Sequence, residues 1–268
     1  MPLSLSADQV RAYHRDGLLS PVPVLGEREC ERFRSRFAEL ESAVGPASPD
    51  GSWTRNPHLH FGWCWDLVTW PVVLDAVQDL IGGDILVLSS ILFVKKPGQR
   101  QFVSWHQDSR FFRRDGRPLR ALTGWIALAP STLETGCLLG LPASHTEGYL
   151  PHDFTYEASN MLRRGETVRA GVDESCAVAM VLEAGEMSLH HIDTLHASHV
   201  NEGPTARIGL AVRYVHPETA LTVAHAPVVL ARGTDAFGLH DTCPDRPPDD
   251  LRSGLASLAE VEAAPVQP

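Results

Sequence analysis

The sequence predicts a mainly β fold: a sandwich or barrel of short strands with helices packed on one side. Two observations carry this. Helical periodicity clusters in the first part of the chain, up to about residue 82. From Ile85 to Tyr214, apolar and β-branched runs alternate with turn-forming residues. A third observation bounds the size. The chain has 268 residues, 43% hydrophobic and 21% charged, which suits one domain with a sizeable buried core.

The elements follow in order. Ser6-Ala7-Asp8-Gln9 reads as a capping box opening a short helix that ends near Gly17. Residues 26–42 place Cys30, Phe33, Phe37 and Leu40 on one face of a charged helix. Residues 44–60, rich in Gly, Pro, Ser and Asn, read as a loop. Pro71 to Leu80 reads as a helix with proline in its first turn and Gly82-Gly83 beyond its end. Ile85 to Val94 is a strand, stopped by Lys95-Lys96-Pro97-Gly98, and further strands are expected at 102–108, 121–129, 136–141, 177–182, 186–191 and 206–215. The expected organisation is a single domain. It has helical support over about 5–82, a β core over about 84–220 and an extension over about 221–268 with one short helix near 251–262.

Composition excludes several functions. A formal net charge of −10 with no basic tail argues against a nucleic-acid partner. The five cysteines are scattered without a C-x-x-C pair, which argues against a disulfide framework or thiolate zinc and suits a cytoplasmic location. Neither a signal peptide nor a membrane-spanning run is expected.

Thirteen histidines point to metal chemistry. In Trp105-His106-Gln107-Asp108 an imidazole and a carboxylate stand two residues apart at the end of a strand, so they share a face. His196 arrives from a distant segment to complete two histidines and one carboxylate. That set suits iron(II) and leaves coordination positions open for a 2-oxo acid and dioxygen. Arg207, eleven residues after His196, can clamp the far carboxylate of 2-oxoglutarate, and Ser198 can add a hydroxyl hydrogen bond. His190 or His191 could replace a ligand, and Arg213, expected on the same face as Arg207, could replace the clamp.

The segments WHQD at 105–108, TGWIAL at 123–128, ETGCLLGLPASH at 134–145, LHASHVNEGPTARIGLAVRY at 195–214 and LARGTDAFG at 230–238 resemble the phytanoyl-CoA dioxygenase family. The resemblance covers roughly residues 5 to 240 and implies a double-stranded β-helix, or jelly roll, with iron inside. It implies His106, Asp108 and His196 as ligands of Fe(2+), and Arg207 with Ser198 on 2-oxoglutarate. Gln107 and Trp125 fall where the family lines the co-substrate pocket. It also implies O2 as oxidant and release of succinate and carbon dioxide. Because Asp108 is retained where related halogenases carry a small residue, hydroxylation of an unactivated C–H bond is favoured.

The expected substrate is a small natural-product or amino-acid-like molecule, with a homodimer allowed. Arg100, Arg110, Arg113, Arg114, Arg117 and Arg120 gather beside the metal motif, so an anionic substrate meeting Arg113, Arg117 and Phe112 is one reading; a solvated loop is the other. Residues 45–65 and 146–175 are the expected substrate-covering segments. Two competing classes are a cupin-type metalloenzyme independent of 2-oxoglutarate and a non-catalytic ligand-binding jelly roll.

Overall fold

A computed structural model describes residues 4–44, 51–112, 116, 119–222, 227–242 and 245–263. Helix α1 (Ala7–Asp16) starts on the expected capping box: Gln9 N–H donates to Ser6 Oγ at 3.2 Å, and Ser6 N–H to Gln9 Oε1 at 2.8 Å. It ends at Gly17, whose φ of 72° closes the last turn in the left-handed region. Helix α2 (Glu27–Val44) buries Cys30, Phe33, Phe37 and Leu40, the predicted face. Two further helices follow, α3 (Gly62–Val68) and α4 (Pro71–Ile81), the latter with its proline in the first turn.

Ten antiparallel strands build two facing sheets. The larger has the order β1 (Leu18–Pro23), β9 (Glu186–His191), β4 (Ala121–Ala127), β11 (Arg207–Val215), β2 (Ile85–Lys95), β12 (Val229–Arg232). The smaller has the order β3 (Val103–His106), β10 (His196–Ser198), β5 (Leu138–Gly140), β8 (Val178–Met180). A hairpin of β6 (His152–Phe154) and β7 (Glu166–Val168) lies between β5 and β8 in sequence, and α5 (Leu251–Ala263) follows the last strand. This is the jelly roll that the resemblance implies.

Two boundaries differ from expectation. β1 lies inside the stretch read as purely helical support, and β12 lies beyond the expected end of the β core. Pro21 and Pro23 hide β1 from a propensity reading. The sheet tolerates them because β1 is an edge strand that shifts register between Leu19 and Val22. β12 pairs only with Val87, Leu86 and Ile85, a contact made across more than a hundred residues and invisible locally.

The larger sheet is covered on both faces, as strand alternation shows. Leu210, Val212 and Tyr214 of β11 pack with Phe33, Phe37, Val73 and Val77 from the helices, and Tyr214 Oη donates to Val68 O at 2.8 Å. The alternate residues Arg207, Ala211 and Arg213 face the smaller sheet and line a cavity. Trp125, Ala127, Leu138, Met180 and Leu182 fill the space between the sheets at one end. No described helix is long and apolar enough to cross a membrane.

Candidate active site

His106 ends β3, Asp108 begins a tight 3-10 turn, and His196 begins β10, directly opposite His106 in the sheet register. Gln107 between the first two is extended (φ −122°, ψ 144°), so the two-residue alternation carries through and both side chains point the same way. One ligand atom from each of His106, Asp108 and His196 lies within 4.8 Å of the others, and these three form such a group among the described residues.

The local hydrogen bonds prepare the histidines for a metal. Nδ1 of His106 faces Ser104 O at 2.9 Å, and Nδ1 of His196 faces Thr194 O at 3.0 Å. A carbonyl can only accept, so each Nδ1 carries the proton and each Nε2 keeps its lone pair. Burial lowers the pKa of both rings, and for His196 the neighbouring rings of His106 and His190 add to this, so both are neutral. Burial alone would raise the Asp108 carboxyl. Arg213, His190, His196 and His106 instead hold it well below the usual carboxylate range. Thr123 Oγ1 donates to Oδ2 of Asp108 at 2.6 Å, His190 Nε2 lies 3.4 Å from the same oxygen, and Arg213 donates to Oδ1. The cluster is therefore two neutral imidazoles and one ionised carboxylate, a donor set that fits iron(II).

A second cluster lies along the same cavity. Arg207 is 1% exposed, donates to Gly136 O at 2.5 Å, and leaves its Nε without a partner. Its guanidinium sits 5.0 Å from the Trp125 ring centre. Directly across the β11–β2 ladder is Lys95, fully buried, whose Nζ donates to Ser198 Oγ at 2.7 Å and to the carbonyls of Ser198 and His199. Burial and the Arg207 charge push the Lys95 ammonium down to about 6; burial pushes Arg207 down to about 10. Neither cation meets a carboxylate among the described residues. A buried guanidinium without a carboxylate partner among the described residues, with an orphaned N–H, fits the far carboxylate of a dicarboxylic acid.

The cavity is lined by residues from both sheets, including His106, Asp108, Trp125, His196, Ser198 and Arg207. It is tight, with a volume of about 40 Å³. At Phe93 and Leu162 it meets a groove of about 1000 Å³. The groove runs between the outer edge of β2, residues 51–55 and residues 156–163, within the two segments expected to cover a substrate.

Three expectations change. Gln107 does not line the cavity: its carboxamide donates to Gly148 O and Asp193 O, both at 2.7 Å, and accepts from Leu150 N–H at 2.7 Å. Phe112 lines neither the cavity nor the groove. It is 4% exposed and packs with Leu86, Leu88, Ile192 and Val215. Arg213 is no alternative clamp for a co-substrate, because it engages Asp108 at the metal end of β11. Arg113 and Arg117 lie outside the described residues. Of the other arginines, Arg110 pairs with Glu166 at 3.4 Å and covers the Phe154 ring. His191 accepts from Asp193 N–H at 3.1 Å, away from the cluster. In the sequence Lys95 marks only the end of a strand; its place opposite Arg207 depends on a register that no local signal specifies.

Fold and side chains together define a jelly-roll dioxygenase dependent on iron(II) and 2-oxoglutarate. Comparison with known proteins then gives the family. The profile described as phytanoyl-CoA dioxygenase (PhyH) matches residues 13–209. A probable phytanoyl-CoA dioxygenase of Caenorhabditis elegans is 24% identical over 245 residues, covering 80% of this chain and 76% of that protein. A probable alpha-ketoglutarate-dependent hypophosphite dioxygenase of Stutzerimonas stutzeri is 29% identical over 226 residues, 78% of each chain. The solved structure of the apo non-heme monooxygenase ThoJ superposes with a TM-score of 0.78 at 30% identity, covering 94% of both chains. The chain belongs to the phytanoyl-CoA dioxygenase family.

Proposed function

We propose that His106, Asp108 and His196 hold the iron, that Arg207, Lys95 and Ser198 receive the far carboxylate of 2-oxoglutarate, and that the enzyme hydroxylates an unactivated C–H bond of a small organic substrate. The observation that carries this reading is the pairing of Lys95 with Arg207. Arg207 lines the same cavity as the three-residue cluster with its Nε unpartnered, and Lys95, opposite it in the ladder, holds Ser198, which lines that cavity too. A structural metal site would not need them.

Iron(II) bound there supplies the oxidising chemistry, in which 2-oxoglutarate and dioxygen give succinate, carbon dioxide and one hydroxyl on the substrate. The chain's own residues supply the setting. Ser104 and Thr194 carbonyls fix the two imidazole tautomers. Thr123, His190 and Arg213 fix the carboxylate. Trp125 and Leu138 keep the cavity dry around the co-substrate. The substrate lies in the groove and extends one arm between Phe93 and Leu162 toward the iron. A groove of this size suits a natural product larger than a free amino acid. A cytoplasmic location suits the free Cys30, Cys64, Cys137 and Cys176, and the reading accommodates a homodimer.

The test is anaerobic. Iron(II) and then 2-oxoglutarate are added to wild type and to Arg207→Ala, and the visible spectrum is recorded. The reading expects the weak charge-transfer band of a keto acid chelated to ferrous iron, with saturation moved to higher 2-oxoglutarate in the variant. Iron binding without the band would reject the co-substrate site. No iron binding would reject the metal site.

A further inference from the structure

Gln107 stands between the two ligands of the H-x-D pair, is 4% exposed, and has every polar group of its side chain engaged with backbone. The partners belong to two segments. Asp193 O lies on the strap between β9 and β10, one residue before Thr194, whose carbonyl holds His196. Gly148 O and Leu150 N–H lie on the segment that leads through β6 to the groove wall at 156–163. A fourth bond fixes the backbone: Gln107 N–H donates to His152 Nε2 at 3.1 Å. His152 is set for this, since its Nδ1 faces Leu150 O at 2.7 Å and therefore carries the proton, leaving Nε2 to accept. Tyr149 stacks on the same ring at 5.2 Å. Ser109, just past Asp108, adds a bond to the Asp193 carboxylate.

From this geometry we infer that Gln107 is a positioning residue for the metal: it sets the spacing between the His106–Asp108 pair and His196, and fastens that spacing to the groove wall through His152. The inference rests on the proposed iron site. Carbonyl acceptors on one side and an N–H donor on the other require a carboxamide in one orientation, so neither a carboxylate nor an apolar side chain reproduces it. Removing a group bonded directly to a metal ligand typically weakens metal binding about 10- to 100-fold, and Gln107, one bond further out, belongs at the lower end of that range. A residue touching 2-oxoglutarate would behave differently, raising KM for the co-substrate while metal affinity stayed put.

The experiment measures cobalt(II) affinity by visible absorption, and 2-oxoglutarate KM in the iron-loaded enzyme, for wild type, Gln107→Leu, Gln107→Glu and His152→Phe. Cobalt(II) affinity should fall at least about tenfold in both Gln107 variants and by a smaller factor in His152→Phe, with a changed absorption envelope marking altered ligand geometry. Far-UV circular dichroism serves as the folding control. If Gln107→Leu fails to fold, His152→Phe carries the test, because it removes the backbone anchor without touching the carboxamide. Unchanged cobalt(II) affinity in folded variants overturns the inference, and a rise in 2-oxoglutarate KM alone assigns Gln107 to the co-substrate instead. Failure of the wild type to bind cobalt(II) would reject the metal site itself.

Discussion

Arg213 reaches Asp108 from the larger sheet, while Thr123 and His190 hold its other oxygen, so the carboxylate is pinned before any metal arrives. Asp108→Asn keeps the shape and removes the charge. It leaves Arg213 facing a neutral amide and should cost iron(II) affinity at least about 100-fold, more than an outer contact would; equilibrium dialysis checks it. At the other end of the cavity, Arg207→Ala should raise the 2-oxoglutarate KM by about 10- to 100-fold with iron affinity nearly unchanged, as expected for losing a charge-assisted contact of about 1.5–3 kcal/mol. Lys95 adds a pH signature. Its ammonium is pushed down to about 6, so at pH 7.5 it is neutral without co-substrate. A carboxylate brought beside it favours the charged form. Binding of 2-oxoglutarate should therefore take up a proton, and affinity should fall as pH rises above about 6. Calorimetry in two buffers of different ionisation enthalpy would show the uptake, and Lys95→Met should abolish it. The grouping of His106, Asp108 and His196 is legible in the sequence because each lies in a short segment that carries the family resemblance. Lys95 is not, since its place depends on which residue sits opposite, and a resemblance that sets Gln107 near the co-substrate pocket does not say where its carboxamide turns.

Strand β11 connects the two ends of the cavity, and its inward face is graded by size. Arg207 and Arg213 stand at the ends, with Gly209 and Ala211 between. The gap is required by Trp125, since a Cβ on Gly209 would lie 2.1 Å from the indole. That ring is fully packed and also covers Arg207, so it has nowhere to retreat. Gly209→Ala should destabilise the protein by about 1–3 kcal/mol, seen in thermal unfolding, and should raise the 2-oxoglutarate KM by displacing Arg207. An unchanged KM in a folded variant would separate Trp125 from the clamp. Elements of this kind were readable where alternation is strict and the run is long, as in Ile85 to Val94 and 206–215. β1 and β12 escaped because edge strands tolerate proline and short length; what holds them is the neighbouring strand and not their own composition.

At the scale of the whole molecule, the cluster joins the two sheets at one end of the cavity, as Lys95 and Ser198 do at the other. His106 and His196 belong to the smaller sheet, while Asp108 is held by three residues of the larger one. A metal bound to all three would therefore brace the sheets against each other, and the unfolded chain, with its ligands far apart, would not bind it comparably. Mass action then stabilises the folded state by about 2.7 kcal/mol at a metal concentration of 100 times Kd. For a chain of this size, each kcal/mol moves the melting temperature by roughly 2–4 °C, so iron(II) or cobalt(II) should raise it by roughly 5–11 °C. His196→Ala should lose the rise while keeping the fold. In wild type, 2-oxoglutarate should add a further increment only when metal is present, because the far-carboxylate site alone offers one end of a ligand whose other end needs the iron. A rise with 2-oxoglutarate alone, as large as with both, would mean that Lys95 and Arg207 form an anion site independent of the metal, and the two clusters would have to be assigned separate functions.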